Sequence, residues 1–236
     1  AVWRSYSEID IARGSSYFAA LAAAKATAVP RLAEDAARLV VTAGTSLMLN
    51  ATNRFAPAAG GLGGQLDITG ANLVVAASDR LDSFGTVADG VFTPSSDYAG
   101  YLFLDADMLS RLGIESTLIG GYRGTTTQGT LVTATALNLD IATDAAHPLS
   151  GPELLFTSLA PTAASPTVRG LSVDAGSVIA AQGTVAGRSP SPLVFGVNPV
   201  ATYNSNGSVS SWSTGVSGDG ALLRISNGSL VDIEQS

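Results

Sequence analysis

Three separate segments of this chain place apolar residues at the same four offsets. Leu66, Ile68, Leu73 and Val74 stand at relative positions 0, 2, 7 and 8. Leu171, Val173, Val178 and Ile179 repeat those offsets, and so do Leu223, Ile225, Leu230 and Val231. A short polar linker joins the halves each time: Thr69-Gly70-Ala71-Asn72, Asp174-Ala175-Gly176-Ser177 and Ser226-Asn227-Gly228-Ser229. A looser copy, one residue longer, runs from Leu39 and Val41 to Leu47 and Leu49. Spacing by two puts alternate side chains on one face of a strand. Asp67, Ser172 and Arg224 occupy the other face, which is expected to meet water. Self-similarity of this kind marks stacked units, none of which can bury its apolar face alone. The predicted fold is therefore all-β: a right-handed parallel β-helix, or solenoid, with loop insertions and one or two short helices. Successive coils would stack about 4.8 Å apart.

From Arg38 onward, short apolar segments bounded by Gly, Asn, Ser and Pro read as strands, among them Leu39–Ala43, Tyr101–Asp105, Leu131–Ala136 and Leu154–Thr157. The matches begin at unequal intervals, so the coils must carry insertions. These are expected near 55–64, 79–100, 159–167 and 189–218. The last is rich in Ser, Gly, Asn and Pro, contains Trp212, and reads as a flexible loop. Residues 1–37 read as a connector and 38–236 as the β-segment. In the connector, Ser15-Ser16 followed by an Ala-rich run to Lys25 predicts a serine-capped helix that Pro30 ends. Met108–Gly113 predicts a second helical turn closed by glycine.

Composition supports strands over surface helices. Only 13% of residues are charged, about half the usual share of roughly 25%, and Ser, Thr, Asn and 26 glycines stand in their place. A net charge of −7 excludes the basic footprint that nucleic acid requires. Cysteine is absent, which removes disulfides and thiolate metal sites. No apolar run approaches the ~20 residues of a membrane-spanning helix. The start has neither Met nor a signal pattern, and the last strand runs almost to the terminus without a cap. The chain thus reads as an interior or processed piece of something longer, or one on which another subunit stacks.

Chemistry is sparse. His147 is the only histidine, and no Gly-x-Ser-x-Gly elbow supplies a nucleophile for it, so it reads as a loop residue before Pro148. Gly60-Gly61-Leu62-Gly63-Gly64 precedes an alternating strand and not a helix, which makes it a turn and not a phosphate cradle. Asp67, Asp174 and Asp232 lie on or beside outward strand positions, and Asp105 and Asp107 flank Ala106. A glycosidase needs two carboxyls roughly 5 to 9.5 Å apart, and no aromatic groove accompanies these aspartates. No catalytic residue, cofactor or metal site is assigned. Phe55, Phe84, Phe92, Tyr98, Phe195, Tyr203 and Trp212 fall in the expected insertions. They are the candidate interaction surface, with packing onto their own loops as the competing reading.

Several stretches resemble one family. They are Asp35-Ala36-Ala37-Arg38-Leu39-Val40-Val41, Ser46-Leu47-Met48-Leu49-Asn50, Gly60 through Ile68, Tyr101-Leu102-Phe103-Leu104, Leu118-Ile119-Gly120-Gly121, Gly151-Pro152-Glu153-Leu154, and Gly218 through Ser226. Together, over roughly residues 30 to 236, they resemble the filamentous-haemagglutinin-like family of large bacterial exoproteins. That resemblance implies a β-helical passenger of two-partner secretion, located outside the cell or on the bacterial surface. It implies an outer-membrane transporter as partner of the parent chain, and no shared catalytic residues. The expected role is structural and adhesive. Partners would be neighbouring segments of the same longer chain, stacked subunits, or a glycan or protein receptor. Nucleic acid and a membrane span are not expected. The alternative is a carbohydrate-active β-helix enzyme or a tailspike-like glycan binder.

Overall fold

Alternation of apolar and polar residues decides where the strands of this chain fall. A computed structural model describes residues 13–30, 34–44, 47, 54–89, 91–126, 129–159, 170–185, 193–197, 200–203, 209–213, 223–225 and 229–235. It divides into two units, Ala1–Glu34 and Asp35–Ser236. In the first, helix α1 (Gly14–Ala24) starts from Arg13, whose side chain makes no cap. The expected serine cap is therefore absent. The helix stops at Lys25 and a left-handed Ala26 (φ 49°), well before Pro30.

The second unit holds the strands β1 (Arg38–Thr42), β2 (Gln65–Thr69), β3 (Asn72–Ala76), β4 (Gly85–Ala88), β5 (Val91–Pro94) and β6 (Leu102–Asp105). After α2 (Ala106–Arg111) come β7 (Ser116–Ile119), β8 (Gly121–Thr126), β9 (Gly129–Ala134), β10 (Asn138–Ala142), β11 (Leu149–Gly151) and β12 (Glu153–Ser158). The rest are β13 (Gly170–Val173), β14 (Val178–Gly183), β15 (Leu193–Val197), β16 (Val200–Tyr203), β17 (Val209–Ser213), β18 (Leu223–Ile225) and β19 (Leu230–Gln235). No helix among the described residues is long and apolar enough to cross a membrane.

Three sheets are wholly parallel. Their strand orders are β1-β2-β7-β12-β15, β18-β13-β10-β3-β6 and β11-β14-β19. In the second, Leu102, Leu73, Leu139, Leu171 and Leu223 stand in register, and so do Leu104, Val75, Ile141, Val173 and Ile225. Leu73, Val75, Leu139, Ile141, Leu171 and Val173 are wholly buried. They share one core with Leu66, Ile68, Ile119 and Phe156 of the first sheet and Leu149 and Ile179 of the third. Each such side chain contributes roughly 1.5–3 kcal/mol on leaving water.

The single right-handed parallel β-helix expected from the repeats is not what this chain forms. Its sheets are separate, and two of them are antiparallel: the β4–β5 hairpin and a four-stranded sheet ordered β17-β16-β9-β8. Sequential stacking also fails in the second parallel sheet, where β6 pairs with the edge of β3 opposite β10. The repeated offsets mark corners, but not the same corner. The Leu66 copy links the first sheet to the second, whereas the Leu171 and Leu223 copies link the second to the third. The apolar phase shifts accordingly. Leu73 lies in the main core and Val74 outside it, while Ile179, one offset later, takes the core position in the Leu171 copy. Segment 189–218, expected as a flexible loop, contributes β15, β16 and β17.

The 79–100 insertion is a folded cover. A 3-10 turn (Ser78–Ser83), the β4–β5 hairpin and a second 3-10 turn (Ser96–Tyr98) lay Phe84, Phe92 and Tyr98 on Phe103, Tyr101, Val74, Ala76 and Ala142. The rings meet edge to face, with centroids 4.9 Å apart for Phe84–Tyr98 and 4.6 Å for Phe92–Phe103, a geometry that suits the ring quadrupoles. Leu139→Ala is expected to lower unfolding free energy by about 2–5 kcal/mol in a urea titration. Val87→Ala, on the exposed side of β4, should stay within about 0.5 kcal/mol.

Candidate functional site

Chain direction at residues 119–121 creates the most heavily charged buried spot among the described residues. β7 ends at Ile119, and the chain folds outward through Gly120 and Gly121. Gly120 has φ 94°, and a Cβ there would lie 2.0 Å from the Thr157 carbonyl oxygen. Only glycine fits both the backbone and the space. Gly120 donates its N–H to Ile68 and accepts from the N–H groups of Thr135 and Ala136. These bonds tie the ends of the β8–β9 hairpin to the first parallel sheet.

Along β8, alternation leaves Tyr122 exposed and turns Arg123 inward, 5% exposed. Arg123 meets Asp67 of β2, which is fully buried. Its Nη1 donates to Asp67 Oδ1 at 2.6 Å, and its backbone N–H donates to Oδ2 at 2.8 Å. Its Nη2 donates to Ser116 Oγ at 2.6 Å, and the Ser116 hydroxyl donates to Glu153 Oε2. In-register pairing puts Ser116 of β7 directly beside Glu153 of β12. The result is a chain of hydrogen bonds linking three neighbouring strands of one sheet to a strand that crosses them. Asp67 does face away from the core, as its alternation implies, but β8 keeps it from water. Arg123, Ser116 and Glu153 were not singled out by the sequence reading. The available signal was a lone Arg inside an alternating strand of a chain with only 12 basic residues.

A more exposed cluster gathers at the loop 143–148 between β10 and β11. His147 Nδ1 lies 2.6 Å from Asp107 Oδ2 of α2, and their side chains are 32% and 26% exposed. Asp144 Oδ1 accepts from the N–H groups of Ala146 (2.7 Å) and His147 (2.9 Å). Arg80 Nη1 donates to the carbonyls of Thr143 (2.7 Å) and Ala175 (3.2 Å). The Asp107 carboxylate, accepting from the protonated ring, raises the His147 pKa against some desolvation, aided by the charges of Asp107, Asp79 and Asp144. Burial pushes Asp144 upward, but bonds from His147, Asp79 and Ala146 outweigh it, and its pKa is lowered. Among the described residues, no group of three or more His, Cys, Asp or Glu is arranged to hold a metal ion.

Of the other aspartates, Asp105 caps α2 by accepting from Met108 N–H, so Asp105 and Asp107 do different work. Asp174 lies at the turn before β14, half-buried, and the Asp232 side chain lies outside the described residues. Among the candidate surface aromatics, Phe84 is buried, Phe92 and Tyr98 are half-buried in the aromatic cover, and Phe55 packs against the main core. Phe195, Tyr203 and Trp212 stand on β15, β16 and β17, and their side chains lie outside the described residues. The exposed large apolar side chains include Val87, Val91 and Tyr122. Comparison with family models, with curated proteins and with solved structures found no match to this chain.

Asp67→Ala is expected to lower stability by about 3–5 kcal/mol, since it leaves the guanidinium of Arg123 buried without its carboxylate partner. Chemical denaturation would measure it. Because its pKa is depressed, Asp144 contributes stability above its ordinary value of 3.8 and loses it as pH falls below that. Asp144→Asn should therefore flatten part of the acid limb in a melting series from pH 5 to pH 2.

Proposed function

We propose that this chain is a structural and adhesive segment of a secreted bacterial surface filament or adhesin, without catalytic activity. The observation that carries this reading is the closure of its densest polar network. Asp67, Arg123, Ser116 and Glu153 are each at most 5% exposed, and every one bonds to another member of the network. General acid–base work requires a group within hydrogen-bond reach of a substrate proton, and no substrate reaches these four. They fasten sheets together. Exposed apolar side chains on the β4–β5 hairpin and on β8 would be available for contact with a receptor. Extracellular location, export through an outer-membrane transporter, and neighbouring segments or stacked subunits as partners rest on the family resemblance.

One observation favours the second reading, a carbohydrate-active enzyme or glycan binder. Asp79, Asp107, Asp144 and His147 form an accessible acidic group of the kind that handles sugars. Two of its carboxyls, however, are already engaged: Asp107 by the His147 ring, and Asp144 by the N–H groups of Ala146 and His147. Incubating the protein with neutral and uronate-containing polysaccharides, and measuring new reducing ends or unsaturated products, separates the two readings. The structural reading predicts no product, together with retention of labelled protein on cell-surface or matrix preparations. Product formation that Asp144→Asn abolishes would overturn it in favour of the enzyme.

A further inference from the structure

The loop 143–148 is held at four points by three elements, and one of those points is an imidazole–carboxylate pair. Thr143 Oγ1 donates to the Val178 carbonyl and accepts from the Val178 N–H, which fixes the loop to β14. Arg80 fixes it to the 3-10 turn (Ser78–Ser83). Ser110 of α2 shares its one hydroxyl proton between the carbonyls of Ala106 (2.8 Å) and Pro148 (3.2 Å), and accepts from Ser150 N–H at 2.9 Å. Ser150 lies on β11, the edge strand of its sheet, so α2 covers that edge. The remaining hold is His147 on Asp107.

Asp107 of α2 meets this imidazole at 2.6 Å, and the charges of Asp79 on the 3-10 turn and Asp144 in the loop itself also act on it. Two arginines stand on the elements around it: Arg80 of the 3-10 turn, whose Nη1 is engaged by the Thr143 and Ala175 carbonyls, and Arg111, exposed at the last residue of α2. Protonation of His147 adds one positive charge beside Asp107, Asp79 and Asp144. Like charges held this close repel, and α2 bears one of them.

We propose that the β10–β11 loop is a proton-operated clasp: protonated His147 holds Asp107, and with it α2, over the edge of β11, and loss of the proton loosens that cover. An uncovered parallel edge strand presents unpaired backbone groups to any strand that can pair with it. The cover over β11 would therefore be tighter below the His147 titration and looser above it. Raised above 6.5 in the folded chain, His147 contributes its hold fully below that value and loses it as pH rises through the folded pKa. The proposal stands apart from the adhesive role, because it concerns α2 and β11 whatever the chain binds.

His147 is the only histidine in the chain, so its ring proton gives one unambiguous NMR titration. The whole chain should show His147 titrating above 6.5, and at a lower pH in Asp107→Asn. Hydrogen exchange followed by mass spectrometry, corrected for intrinsic rates, should show amides in 106–113 and 149–151 opening about two- to fivefold more often above that titration than below it. Amides of β3 and β10 should not change across the same range. In His147→Asn the pH step should vanish. Protection of α2 and β11 that stays flat while His147 titrates, or an unshifted His147, would overturn the clasp. An adhesive or enzymatic outcome in the polysaccharide assay leaves this result unaffected.

Discussion

One guanidinium ties the two kinds of sheet in this protein together. Arg123 sits on β8, an outer strand of the antiparallel sheet, and is satisfied by Asp67 and Ser116 on two neighbouring strands of a parallel sheet. Removing a full charge from water costs several kcal/mol, and only close, well-directed partners offset it. That requirement has a geometric consequence. The bonds from Arg123 exist only if β8 crosses the outer face of β2 and β7 at one place. The glycine pair at 120–121 makes the crossing possible, since β7 must turn out of its sheet where Thr157 leaves no room for a side chain.

Beneath this fastening, the parallel ladders supply the bulk of the apolar burial. Leu, Ile and Val stand above one another in register from β6 through β3 and β10 to β13, and all of them join a single core. Apolar contact is non-directional, so the ladders set that these strands stack but do not choose which face the hairpins cover. The polar groups make that choice. Arg123 places β8, Arg80 places the 78–101 cover, and Ser110 and Asp107 place α2. A chain with few charges has used them where direction matters.

The strands were largely legible in the sequence because period two is a local signal. Leu66–Ile68, Leu73–Val75, Leu171–Val173 and Leu230–Ile233 all fall within observed strands. The architecture was not legible, because spacing within a repeat says nothing about which sheet each half joins. Equal offsets at Leu66 and Leu171 fall at different corners, and β6 stacks against the order of the chain. The strands at 193–213, one parallel (β15) and two antiparallel (β16 and β17), were hidden for a compositional reason, since Ser, Gly and Asn serve strands and loops alike. At the site, Asp67 was visible as the polar member of an alternating strand. Its burial was not, because it depends on β8, which is more than fifty residues away. The pairing of His147 with Asp107 is equally non-local.

If Arg123 and Asp67 fasten the sheets as described, their contributions to stability must be coupled and not additive. A double-mutant cycle built from Asp67→Asn, Arg123→Met and the combined variant, read by chemical denaturation, measures that coupling directly. The account predicts an interaction energy on the order of 2 kcal/mol, within the range found for residues sharing one hydrogen-bond network. Two substitutions whose effects simply add, to within about 0.3–0.5 kcal/mol, would contradict it and leave the ladders alone to hold the sheets.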